Sequence, residues 1–306
     1  MFCNPQSRML GKLPPFGYYR PSTLREALAV MERWDGAVGV FAGGTDLLVA
    51  LKERRLSHPA LVDIKSVPEL GGIQPGNGGL RIGAAVSTRA VARATLVREH
   101  FPILSQALRI LGSMQIGNRA TIGGNLCNAS PAADSAPPLL TLDASVQLIG
   151  TQRPRSVPLE SFFLAPKKTV IDRELLAAVH IPFPSVQGRG IFYKLGPRGA
   201  PEDICIVSVA VFGVPDSAGK SWQEVRIALG AVAPTPIRAR MAEEAIRGQP
   251  MEGEAIADAA RLAGEKDAQP ISDIRASAEY RRAMVRVLVG RALRHIALEL
   301  KGEPAK

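Results

Sequence analysis

The stretch that most constrains this chain is Asn118-Arg119-Ala120-Thr121-Ile122-Gly123-Gly124-Asn125-Leu126-Cys127-Asn128-Ala129-Ser130-Pro131-Ala132-Ala133-Asp134. It is too polar to be core and too short-chained to be a solvated charged face. A glycine pair sits among the small polar groups Thr121, Asn125, Asn128 and Ser130, and Asp134 closes the run. The reading is a backbone that wraps a polar, phosphate-bearing ligand, with Asp134 placed to accept from ribose or ribityl hydroxyls. The competing reading is a long surface loop, but long loops inside compact domains are usually functional when their composition is not disordered.

A second glycine pair lies in Phe41-Ala42-Gly43-Gly44-Thr45-Asp46-Leu47-Leu48, between a predicted strand over 39–42 and a predicted helix over 47–55. Without Cβ atoms, backbone N–H groups can approach an anion closely, and a helix N-terminus adds partial positive charge. Taken alone, these eight residues better suit a tight strand-to-helix turn capped by Thr45 or Asp46, with no ligand. Two such segments in one chain point to a dinucleotide-type ligand.

The rest of the pattern organises into two units, as a length of 306 residues suggests at about 150 residues per domain. Apolar spacing predicts an amphipathic helix within 18–33, after Ser22 and with its stripe at Leu24, Ala27, Leu28 and Met31, further helices over 87–94, 103–111 and 139–142, and strands over 61–64, 80–84, 144–149 and 176–181. Pro182, Pro184, Gly188 and Gly190 mark a boundary, giving segments 1–185 and 186–306, the first divided near residue 57. Beyond it, three strands (190–195, 205–214, 222–230) precede helices over 238–247, 254–263 and 277–300. Strands followed by helices predict an α+β module, a three-stranded sheet on a helical layer.

Composition excludes several classes. Hydrophobic residues at 46% and charged residues at 22% rule out wholesale disorder. No apolar run approaches the roughly 18 residues of a membrane span. Met1 to Arg20 lacks an apolar leader region and is interrupted by prolines, so a cytoplasmic location is expected. The formal charge is +10, but the basic residues are scattered and aromatics are 5%, which argues against nucleic acid. Cys3, Cys127 and Cys205 lack metal-ligand spacing and fall short of the four that an iron–sulfur cluster uses. No metal site is expected. No Gly-x-Gly-x-x-Gly motif, nucleophile elbow or paired-histidine motif occurs, and no catalytic residue is assigned. The four histidines read as solvated or capping groups.

Ala42-Gly43-Gly44-Thr45-Asp46-Leu47-Leu48 and Thr121-Ile122-Gly123-Gly124-Asn125-Leu126 resemble the two FAD-binding signatures of the flavoprotein subunit of molybdenum hydroxylases, the family of aerobic carbon monoxide dehydrogenase and xanthine dehydrogenase. The likeness extends over Tyr19-Arg20-Pro21-Ser22-Thr23-Leu24-Arg25-Glu26-Ala27, Val62-Asp63-Ile64 and Tyr280-Arg281-Arg282. It implies an α+β fold: a two-part FAD-binding domain of the vanillyl-alcohol-oxidase (PCMH) type, then a smaller C-terminal domain. Residue by residue, it implies that Phe41, Ala42, Gly43, Gly44, Thr45, Asp46, Leu47 and Leu48 lie on the FAD pyrophosphate. Thr121, Gly123, Gly124 and Asn125 match the second loop, Asp134 a further FAD contact, and Leu176 a backbone contact at the adenine end. Lys194 matches the lysine near the isoalloxazine ring, where a cation stabilises the reduced flavin. Leu111 stands where xanthine dehydrogenases carry an aromatic residue over the flavin.

The resemblance further implies an oxidoreductase component with non-covalent FAD. Molybdopterin and [2Fe-2S] clusters belong to a large and a small partner subunit, in a dimer of heterotrimers. Electrons arrive from the iron–sulfur subunit and leave to an external acceptor near Lys194 and Leu111, with the basic surplus docking an acidic partner or steering an anionic acceptor. The rivals are a freestanding FAD oxidase or reductase, which needs a general base over the flavin, and a non-catalytic nucleotide-binding scaffold.

Overall fold

The computed structural model describes residues 12–184, 188–200 and 202–303. Cys3, the first part of the segment Met1 to Arg20 and the break expected between 185 and 186 lie outside the described residues.

The chain opens with β1 (Gly17–Tyr19), α1 (Leu24–Arg33), β2 (Gly39–Phe41), α2 (Leu47–Lys52) and β3 (Ala60–Asp63). Thr23 caps α1 by accepting from the Glu26 N–H, and Glu26 reaches back to the N–H of Ser22 at 2.8 Å, a reciprocal arrangement that fixes the helix start. The three strands form one parallel sheet in the order β1-β3-β2. Its middle strand, β3, lies just beyond residue 57 and closes the strand-helix-strand unit. The helix predicted over 47–55 ends at Lys52, and Arg54 already has a left-handed φ of 56°.

The second part contains β4 (Ile73–Gly76), β5 (Gly79–Gly83), α3 (Thr88–Arg93), α4 (Thr95–His100), α5 (Pro102–Arg109), α6 (Met114–Arg119), α7 (Ile122–Cys127) and α8 (Ala136–Thr141). It continues with β6 (Ser145–Ile149), β7 (Arg155–Pro158), the hairpin β8 (Phe163–Ala165) and β9 (Lys168–Thr169), and β10 (Leu175–Pro182). Strand β10 runs through the middle of a five-stranded sheet ordered β4-β5-β10-β6-β7. One face of β10 (Leu176, Val179, Ile181) packs under the helices, while Leu175 and Ala177 join the core of the first sheet. That alternation welds the two parts together.

The last unit has β11 (Arg189–Leu195), β12 (Val207–Pro215), β13 (Trp222–Gly230), β14 (Ile237–Arg238), α9 (Arg240–Ile246), α10 (Gly253–Leu262) and α11 (Ala278–Lys301). Its antiparallel sheet has four strands, not the three expected; the fourth is two residues long, too short to show a pattern in sequence. It is also covered on both faces. Val207, Val209 and Val211 of β12 face the helices of this unit, whereas Ala210, Phe212 and Val214 join the core of the preceding domain. A strand buried on both sides reads as one apolar run, which hid the second contact from sequence inspection.

Polar ties cross this seam as well. The Phe192 N–H donates to Gln106 Oε1 at 3.0 Å, and the Ala231 N–H to the Pro131 carbonyl at 2.7 Å. Arg238, paired with buried Glu243, donates to the Leu140 carbonyl at 3.2 Å and Asp143 at 3.0 Å. Inside the last unit, fully buried Arg281 donates to the carbonyls of Ile206 (2.7 Å) and Ala231 (2.9 Å) and to Asp273 (2.8 Å). Hydrogen bonds from Arg275 and Arg281 hold the Asp273 carboxyl well below the usual carboxylate range. Among the described residues no helix is long and apolar enough to cross a membrane.

Removing Arg281 takes the buried side-chain donor away from the carbonyls of Ile206 and Ala231, while Asp273 keeps Arg275. Arg281→Met is therefore expected to cost about 3 kcal/mol of unfolding free energy, read from urea denaturation; a loss within error of zero contradicts the structural role given to Arg281.

Candidate functional site

The two glycine segments meet. A Cβ on Gly43 would lie 2.1 Å from the Arg119 carbonyl oxygen and 2.9 Å from Ala120 Cα, so the first loop rests backbone on backbone against the link between α6 and α7. Gly44 adopts φ +75°, a left-handed turn that aims the chain into α2. A hydrogen bond of 3.0 Å from Asn128 Nδ2 to Asp46 Oδ1 ties the segments a second time. Asn128 Oδ1 in turn accepts from Lys167 Nζ at 2.6 Å, at the tip of the β8–β9 hairpin. From the other side, Lys65 Nζ donates to the Ala42 carbonyl at 3.2 Å, lies 3.6 Å from the centre of the Phe41 ring and pairs with Asp63 at 2.8 Å; Asp63 also accepts from the Tyr18 hydroxyl.

The two segments offer a ligand different things. Gly43, Gly44, Thr45 and Asp46 have backbone N–H groups that donate to no acceptor among the described residues. They form an open row of donors, as an anion requires. The second segment is not the open loop expected from its composition. Ser113 caps α6 and Thr121 caps α7, accepting from the Gly124 N–H at 3.0 Å. The N–H groups of Ile122, Gly123 and Asn125 are spent on the carbonyls of Val86 (3.0 Å), Ala84 (3.0 Å) and Thr121 (2.9 Å). Gly123 is required by packing, since its Cβ would stand 2.6 Å from that of Ala84. The side chain of Asn125 accepts from Ser135. The first loop rests on the link just before this segment, at Arg119 and Ala120, while the amides of Ile122, Gly123, Gly124 and Asn125 are engaged within the protein.

Asp134 and Lys194 meet at the domain seam. Lys194 follows Phe192 by two residues on β11 and so shares its face, turned toward the preceding domain. It is buried, not the exposed strand residue its position alone suggests. Its Nζ donates to Asp134 Oδ2 at 2.7 Å and to the Ile110 carbonyl at 3.2 Å. Only 3% of the Lys194 side chain and 8% of the Asp134 side chain are exposed. Burial pushes the Asp134 carboxyl up to about 6, with Lys194 pulling the other way. Its second oxygen, Oδ1, is buried and has no hydrogen-bond partner among the described residues.

Leu111, next to Ile110, is buried and lines a cavity of about 290 Å³ whose wall includes Arg89, Arg93 and Arg109. Leu176 sits in β10 beside a register shift between Leu176 and Ala178 and lies in the core behind α7. Thus Phe41 to Leu48 and Thr121 to Asn125 are brought into one place and Asp134 is brought to Lys194. No hydrogen bond connects Leu176 to either glycine segment. Lys65 and Lys167 were not singled out in the sequence, and Asn128 only as a small donor. Lys65 followed a recognised Val62-Asp63-Ile64, but Lys167 had no local signal because its partner lies 39 positions away.

Residues 14–184 match the family of the FAD-binding domain in molybdopterin dehydrogenase, and 191–296 match the carbon monoxide dehydrogenase flavoprotein C-terminal domain. The chain belongs to the FAD-binding subunits of the molybdenum hydroxylases. It is 32% identical over 279 residues to the xanthine dehydrogenase FAD-binding subunit of Escherichia coli O157:H7, covering 90% of this chain and 94% of that one. It is 31% identical to the carbon monoxide dehydrogenase medium chain of Hydrogenophaga pseudoflava, covering 92% and 96%. The solved carbon monoxide dehydrogenase from that organism superposes with a TM-score of 0.88 at 30% identity, over 94% of this chain and 99% of its counterpart. The FAD-binding fold of the family is this two-part domain, followed by the C-terminal α+β unit. The residues fit the cofactor: an anionic pyrophosphate is what the uncovered N–H row of Gly43 to Asp46 lacks.

A side chain at Gly43 must push the two segments apart. Gly43→Ala is expected to weaken FAD binding at least about tenfold, the equivalent of an overpacking strain near 1.4 kcal/mol. Gly76→Ala, where an added Cβ meets open space, leaves it unchanged. Equal affinities in a fluorescence titration of both variants contradict the close-approach argument.

Proposed function

We propose that this chain is the flavoprotein component of a three-subunit molybdenum hydroxylase, working beside a large molybdopterin subunit and a small [2Fe-2S] subunit in the cytoplasm, as a dimer of heterotrimers. FAD, when bound, supplies a two-electron store between the iron–sulfur clusters and an external acceptor. The observation that carries the reading is the row of unused N–H groups from Gly43 to Asp46, laid against Arg119 and Ala120 by a contact only glycine permits.

In this reading the chain's own residues position rather than transform. Phe41 to Leu48 hold the pyrophosphate, Thr121, Gly123, Gly124 and Asn125 form the second segment beside it, and the backbone at Leu176 meets the adenine end. Asp134 and Lys194 lie by the isoalloxazine ring, held there by the ties between β11 and α5. Leu111 packs near the ring without the aromatic stacking of xanthine dehydrogenases. The cavity beside Leu111 carries three arginines, none of which has an ion-pair partner among the described residues, and this favours an anionic acceptor.

Isolation of the tagged chain from its native host is expected to give FAD, iron and molybdenum in one gel-filtration peak with two further polypeptides. Flavin in a single-chain peak that turns over a substrate unaided contradicts the subunit reading and supports a freestanding flavoenzyme instead.

A further inference from the structure

The Asp134–Lys194 pair is built unlike an ordinary buried ion pair. Such pairs persist when every lone pair and proton is satisfied, and the lysine here meets that condition better than the acid. Lys194 Nζ has Asp134 Oδ2 and the Ile110 carbonyl. Asp134 has one oxygen on the lysine and one, Oδ1, facing no donor, with its side chain more than nine-tenths buried. A lone carboxylate oxygen in such a place is destabilised unless it takes a proton. The charged group acting on Asp134 is Lys194, from β11; the thiol of Cys205 is close on the same side, its Sγ 3.8 Å from the Ala132 carbonyl, and is itself pushed up to about 12 by burial, so it stays neutral.

We propose that Asp134 is a proton-linked charge switch for the cofactor, changing the Asp134–Lys194 unit from net neutral to net positive as it takes up a proton. This rests on the reading that FAD lies beside Lys194. Negative charge arriving next to Lys194 raises the affinity of Asp134 for a proton, which comes from solvent to Oδ1 and returns to solvent when that charge leaves. Linkage makes the effect reciprocal: a protonated Asp134 favours electrons on the cofactor. Asp134 touches no substrate here; what it changes is the charge of its pair with Lys194.

The sign follows from the direction of the perturbation. Below about pH 6 the acid already holds its proton, and the unit is positive whether or not the cofactor is reduced. Above it, the proton is absent from the oxidised form and is gained on reduction. The test is the midpoint potential of the full chain with FAD, measured from pH 5 to pH 8 in wild type and Asp134→Asn. The two potentials should coincide near pH 5 and diverge above pH 6, with the wild type falling more steeply and Asp134→Asn, fixed in the positive state, lying higher. Parallel lines across the whole range overturn the proposal.

A second measurement needs no variant. In the reduced-minus-oxidised infrared difference spectrum of wild type at pH 7, a protonated-carboxyl C=O band should appear on reduction; its absence overturns the proposal even if Asp134→Asn does not fold. Bound FAD with parallel potentials removes only the switch, whereas a wild-type chain that takes up no FAD removes the parent reading and the switch together.

Discussion

The structure depends on one contact between two backbones. Gly43 lies so close to Arg119 that no other residue fits between them, and this brings a loop from the first sheet onto the start of α7 in the second. Everything that makes the site follows from the approach. The N–H groups of Gly43 to Asp46 are turned away from other protein acceptors because the chain must run flat against its neighbour before rising into α2. Asp46 reaches Asn128, and Lys65 reaches back to Ala42, only because the loop is already held there. The result is a half-exposed row of N–H groups with no protein acceptor among the described residues, open to an anionic ligand.

The second organising feature is the seam between the domains. The C-terminal sheet has no solvent face: one side belongs to α9, α10 and α11 and the other to the FAD-binding domain. Strand periodicity therefore decides which residues of β11 look toward the cofactor domain, and Lys194 is one of them. A lysine placed there has left water, and it is stabilised by Asp134 from the opposite side of the seam. The lysine thus does not act on its surroundings as a lone cation. Its influence depends on the protonation of its partner, a more adjustable arrangement than a fixed positive charge.

Much of this was legible in the sequence, for reasons that differ by residue. The glycine pairs were visible because glycine at a close approach has no substitute, α1 because its apolar period is clean, β10 as one short apolar run, and α11 through apolar residues recurring every four positions. The conversion of 114–127 from an open loop into two short capped helices was not legible: the first amides of α7, at Ile122 and Gly123, are held by the carbonyls of Val86 and Ala84, more than 35 positions away in the turn after β5. The two-residue strand β14, the hairpin bearing Lys167 and the burial of Lys194 all depend on long-range packing. The likeness to molybdenum hydroxylase flavoproteins named Asp134 and Lys194 as separate cofactor contacts, and only the folded chain joins them into one unit.

The central claim is that the open N–H row of Gly43 to Asp46 is the anion seat while the amides of Ile122 to Asn125 are already engaged. Amide hydrogen exchange followed residue by residue, with and without FAD, tests it directly. The account predicts that Gly43 to Asp46 exchange freely in the cofactor-free chain and become strongly protected on FAD binding, whereas Ile122, Gly123 and Asn125 are slow in both states. Protection that appears at Ile122 to Asn125 and leaves Gly43 to Asp46 unchanged would contradict it.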